Sequence, residues 1–121
     1  MKNLSHLLFA QGMIFAIACA IHAGVLFTGY EHRRAMVAEA VLAAVLIVAA
    51  ISSVANTPWR IRIGLAAQAF ALLGTLVGLW MALIGVGPGT PLDLVLHAAM
   101  VLLLVVGLTW TWRASRAARM G

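Results

Sequence analysis

Four runs of apolar residues, each about as long as a bilayer is thick, constrain this chain more than any other feature. A helix that crosses a bilayer needs about 20 residues, and the runs fall at about 7–30, 35–54, 63–85 and 92–112. They are continuous rather than alternating, which excludes the strands of a transmembrane barrel. In hydrocarbon every backbone polar group has to be satisfied within the chain, so a continuous apolar span is a helix. Composition agrees. Of 121 residues, 64% are hydrophobic and 9% charged, whereas a soluble domain is about a quarter charged. The expected fold is an all-α integral membrane protein, with four transmembrane helices in an antiparallel up-down bundle. That bundle takes up residues 1–121 as one domain and leaves no room for a soluble catalytic domain.

The breaks between runs carry turn chemistry. The first run ends in Tyr30-Glu31-His32-Arg33-Arg34. The second stops at Asn56-Thr57-Pro58-Trp59-Arg60, where Pro58 lacks an amide proton and disfavours helix just before it. Gly85-Val86-Gly87-Pro88-Gly89-Thr90-Pro91 follows the third, with Thr90 placed to cap the last helix and Pro91 at its first position. Lys2 and the small-residue box Ala16-Ile17-Ala18-Cys19 have some features of a lipoprotein leader. Ala16 stands where such a box carries Leu, so the segment is read as a retained first span. Ala10-Gln11 opens the first span much as Ala67-Gln68 opens the third, so two repeated helical hairpins are an open alternative.

Lys and Arg set the orientation. Lys2, Arg60, Arg62, Arg113, Arg116 and Arg119 fall on one side and only Arg33 and Arg34 on the other. Six against two puts both termini in the cytoplasm, with Trp59, Trp110 and Trp112 at the cytoplasmic interface. The stretch from Gly85 to Asp93, followed by His97, resembles small bacterial membrane proteins. It implies a multi-pass protein of a bacterial inner membrane. The net charge of +5 sits at helix ends, where it meets anionic head groups. The expected partner is therefore the lipid bilayer, and nucleic acid is not expected. Gly74 and Gly78 form a GxxxG pair, and Ala16, Ala20, Gly24 and Thr28 a small-residue stripe. Such positions let helices approach closely, within one bundle or against a second copy or another membrane protein.

The informative residues are the ionisable ones inside the spans, which are costly in lipid and face the bundle interior. At about 1.5 Å of rise per residue, His22 lies roughly 12 Å below the outer end of its span, Glu39 roughly 6 Å and His97 roughly 9 Å. Asp93 and Glu31 lie at the outer boundary. A lone carboxylate at such depth costs several kcal/mol, so Glu39 is expected to be protonated or paired with a His. Cys19 is one helical turn from His22, and Met100 one turn from His97. Together Cys19, His22, Glu39, His97 and Met100 are the candidate ligand or metal-binding set. His32 and His6 are read as solvated, and Gln11 and Gln68 as able to hydrogen-bond between helices.

Several readings fit that set. It can be a polar clasp between helices. It can hold haem b with His22 and His97 as axial ligands, as four-helix bundles allow, and pass electrons. It can hold copper(I) through Cys19, Met100 and the His pair, or serve as a proton relay, a quinone pocket or a lipid-binding site. Paired cysteines are lacking, so a small mercury transporter does not fit, and Cys19 alone excludes a disulfide or Cys-rich zinc site. No Lys-Ser or Lys-Thr follows the glycine loop, which excludes a phosphate-cradling loop. No nucleophile–base–orienter set is visible, so no catalytic residue is assigned, and a non-enzymatic role is favoured over catalysis. The leading expectation is a small binding or accessory protein. The alternatives are a haem electron carrier and a structural subunit of a larger membrane complex.

Overall fold

A computed structural model describes residues 2–55 and 57–120. Asn56, part of the second expected break, lies outside the described residues, as does the side chain of Lys2, one of the six basic groups counted above. The chain forms four helices: α1 (Lys2–His22), α2 (Arg33–Val54), α3 (Arg60–Leu83) and α4 (Pro91–Met120). No strand occurs among the described residues. Each helix is long and apolar enough to cross a membrane.

Solvent preference is inverted relative to a water-soluble bundle. Gln11, Gln68 and Thr111 are fully buried, while Val48, Leu73 and Leu102 are each more than 60% exposed. A soluble monomer rarely shows contiguous apolar patches beyond a few hundred Å². Polar groups inside and aliphatic groups outside is the pattern that lipid imposes, because only neighbouring helices can satisfy a polar side chain there. The chain is accordingly a multi-pass membrane protein.

Helix packing follows chain order. The most extensive contact is between α1 and α2, followed by α3 with α4 and α2 with α3, with fewer meetings of α1 with α4 and α3. Ser5 near the start of α1 bonds the carbonyl of Ala50 near the end of α2 (3.1 Å). His22 at the end of α1 meets Glu39 near the start of α2 (2.7 Å). The core is small and aliphatic, built on Leu4, Leu8, Leu46, Ala71, Met100 and Leu104. Gly12 brings α1 against α2, since a Cβ there would lie 2.8 Å from Ile47 Cγ1.

Two helices end differently from the expected spans, each for a local reason. The first was expected to reach Tyr30, but α1 stops at His22. Gly24 takes φ +72°, and the amides of Val25 and Gly24 bond back to the carbonyls of Ala20 (3.0 Å) and Ile21 (3.0 Å). That is the Schellman pattern, which a glycine adopts without the Cβ penalty of the left-handed region. Gly24, expected as a helix-packing residue, therefore lies beyond the helix and packs against Glu31. Gly85 ends α3 in the same way at φ +79°, with Val86 N–H on Met81 O (2.9 Å) and Gly85 N–H on Ala82 O (3.2 Å). At the other extreme, α4 runs to Met120 rather than to about 112. Ala114, Ala117 and Ala118 are strong helix formers, and nothing there breaks the helix. The extension carries Arg113, Arg116 and Arg119. Arg116 sits over the Trp112 ring (5.9 Å), as Arg62 sits over Trp59 (4.9 Å).

Candidate functional site

The start of α4 builds the first part of the site. Pro91 opens the helix, and Thr90 and Asp93 form a reciprocal cap. Asp93 N–H donates to Thr90 Oγ1 (3.3 Å), while Thr90 N–H donates to Asp93 Oδ2 (3.0 Å). The Thr90 hydroxyl also donates to Asp93 Oδ2. This is the capping-box logic with Asp in the third position. It fixes the carboxyl group of Asp93 at a helix N-terminus, which favours negative charge.

The other oxygen of Asp93 reaches His22. Oδ1 lies 2.9 Å from His22 Nε2, and His22 Nδ1 lies 2.7 Å from Glu39 Oε2. The result is a carboxyl–imidazole–carboxyl chain joining α2, α1 and α4. All three members are nearly sealed, at 6%, 2% and 1% exposure for Glu39, His22 and Asp93. The expected pairing of Glu39 with a His thus occurs, with His22. Asp93 was placed at the boundary by depth alone, yet it is an equal member. The Thr90-Pro91-Leu92-Asp93 cap signature was the available signal that its carboxyl group would be held in place.

His97 does not join that chain. Its Nδ1 lies 2.8 Å from the carbonyl of Asp93, four residues earlier in its own helix. A carbonyl only accepts, so Nδ1 carries the proton and Nε2 of the neutral ring presents a lone pair. Nε2 rests against Gly78, where a Cβ would lie 3.0 Å away. Gly74, the other glycine of the GxxxG pair, faces Leu42 at the same kind of distance (3.0 Å). Both glycines therefore meet neighbours within this bundle.

A cavity of about 200 Å³ opens between α2, α3, α4 and the loop after α3. Glu39, His97, Met100 and Thr75 form its polar and soft wall, with Phe15, Leu42 and Met81 as apolar lining. His32 and Arg34 line it at the start of α2. His32, expected to be merely solvated, is the N-cap of α2 and accepts the Ala35 amide proton at Nδ1 (3.1 Å). Among the described residues Glu39 Oε1 and His97 Nε2 have no hydrogen-bond partner, yet neither is sealed off. Among the described residues, the only enclosed side-chain N or O atom without a partner is Gln11 Oε1.

The five candidate donors do not converge. Met100 and His97 share the cavity wall, whereas His22 and Cys19 do not line it, and Cys19 is a half-buried free thiol. Among the described residues, no group of three His, Cys, Asp or Glu has a metal-holding arrangement. Both nitrogens of His22 are engaged with carboxyl oxygens, so neither is open to haem iron or copper without breaking a contact.

A second polar cluster lies in the half of the bundle away from the Glu39–His22–Asp93 chain. Gln68 Nε2 donates to Thr111 Oγ1 (2.9 Å) and Gly64 O (3.2 Å). Gln11 Nε2 donates to Leu103 O (3.2 Å), with a long contact to Gln68 Oε1 (3.5 Å). It ties α1, α3 and α4 where Gly107 leaves room for the amides. No family model matches this chain, and neither the curated proteins nor the solved structures compared with it include a match.

Proposed function

We propose that this chain is a small, non-enzymatic binding protein of a bacterial inner membrane. It holds a small ligand in the outer-half cavity against Glu39 and His97. The observation that carries the reading is a cavity of about 200 Å³ whose wall includes two polar atoms, Glu39 Oε1 and His97 Nε2, with no partner among the described residues. Buried polar atoms are almost always satisfied, so open acceptors beside an apolar chamber fit a ligand. His22 and Asp93 act as positioning residues that hold Glu39 in place. The helix contacts support an up-down antiparallel bundle, and the basic residues at the inner ends support cytoplasmic termini. The two hairpins have a common plan: each first helix carries a buried Gln and ends on a left-handed glycine.

One observation favours a second reading, a structural subunit of a larger membrane complex. The Glu39–His22–Asp93 chain closes on itself and binds three helices together without any ligand. A haem held by His22 and His97 is less favoured, because His22 would have to release a carboxyl group. The test is native mass spectrometry of the detergent-purified protein, against an Ala35→Phe variant that fills the cavity from α2. A bound small molecule in the wild type that the variant loses supports binding. Bare protein in both, with equal melting temperatures, supports the structural reading instead.

A further inference from the structure

The chemistry of the cavity wall narrows what it can hold. The following rests on the reading of the cavity as a binding site. Three side-chain atoms on its wall can accept a hydrogen bond. His97 Nδ1 spends its proton on Asp93 O (2.8 Å), which leaves a lone pair on Nε2. The Thr75 hydroxyl spends its proton on Ala71 O (2.7 Å), which leaves only acceptor capacity. Glu39 uses Oε2 for His22, which leaves Oε1 open. The rest of the interior, including Leu42 and Met100, is apolar.

Among the described side chains that line the cavity, the donors are those of His32 and Arg34 at the start of α2. Arg34 is in the first turn of α2 and exposed. His32 accepts at Nδ1 (3.1 Å), so the neutral ring presents an N–H at Nε2. A ligand seated here therefore needs a donor on its buried end. An anion is disfavoured inside, because it would face acceptors alone. A cation is disfavoured on the way in, because the guanidinium of Arg34 stands at the entrance.

Size limits the buried part to one ring. A 150 Å³ apolar cavity in another protein takes up benzene, and this chamber is about 200 Å³. We propose that the cavity binds a neutral, lipid-soluble molecule through a phenol or hydroquinone ring, the single proton of its buried hydroxyl donated to His97 Nε2. A longer apolar tail can leave toward lipid between exposed side chains such as Val77 and Ala38.

The test uses purified protein in detergent and three probes of one shape: 4-propylphenol, propylbenzene and 3-phenylpropylamine. Binding is read by calorimetry or by ligand-observed NMR. One added hydrogen bond is worth roughly 1 kcal/mol net, so the phenol should bind about five- to tenfold tighter than propylbenzene. In His97→Phe the ratio should fall toward one while propylbenzene still binds. Equal affinity of phenol and hydrocarbon in the wild type would overturn the assigned chemistry but leave the cavity as a binding site. Preference for the amine would overturn the assignment of a neutral ligand. Failure of all three probes, with no response to Ala35→Phe, would remove the binding reading itself.

Discussion

Replacing His22 with Ala tests how far the outer cluster holds the bundle together. His22 is 2% exposed and touches both Glu39 Oε2 (2.7 Å) and Asp93 Oδ1 (2.9 Å). Its removal leaves two nearly sealed carboxyl groups short of a partner. Each such loss costs about 1–3 kcal/mol, more when the group is charged. Two considerations hold the cost down. Asp93 keeps its bonds from Thr90, and Glu39 borders the cavity, through which water can reach it. The sum falls at about 3–5 kcal/mol, the range for breaking a buried ionic pair by removing one partner. At several degrees per kcal/mol for a chain of this size, the melting temperature should drop by roughly 10–20 °C. Thermal unfolding in a mild detergent, followed by the near-ultraviolet dichroism of the tryptophans, reads this directly. His32→Ala is the control in the same outer region. It removes one helix cap, worth about 1 kcal/mol, and should move the midpoint by a few degrees only. If His22→Ala melts no lower than His32→Ala, the triad contributes no net stability and the clasp has been misread.

Two other perturbations address the inner cluster and the orientation. A Cβ at Gly107 would collide with the Gln11 amide and lie 2.7 Å from Gln68 Oε1. Gly107→Ala should therefore destabilise by about 1–3 kcal/mol, and the double variant with Gln11→Ala should recover part of that loss; strict additivity of the two changes would show that the residues do not share the space. With Cys19 replaced by Ala, a cysteine introduced at Gly29 or Pro88 should react with a membrane-impermeant maleimide in intact cells. One at Thr57 or Ala118 should react only after permeabilisation, and the opposite labelling pattern would reverse the assigned topology.

Length and composition alone determined that this chain is helical and meant for lipid. Four continuous apolar runs in a chain with 9% charged residues leave no other solution, because unsatisfied backbone is too costly in hydrocarbon. Sequence also placed His22, Glu39 and His97 at similar depth, since helical rise is nearly constant. Local chemistry was legible at Thr90 and Pro91, where a cap and a first-turn proline act within one turn. Gly24 was harder to read, because a glycine inside an apolar run is equally compatible with close packing and with a left-handed stop.

Depth does not fix rotation about the helix axis, and rotation is where tertiary structure decided the site. It turned Asp93 toward His22 and completed a triad that spacing alone did not reveal. It left His97 at the same level bonded to its own backbone, one lone pair open to a cavity between three helices. It kept Cys19 out of that cavity, so the donor set that seemed shared along the sequence is divided in space. The physical reason is that helical periodicity fixes which residues share a face. Which faces meet depends on how small residues such as Gly12, Gly78 and Gly107 let the helices close on one another.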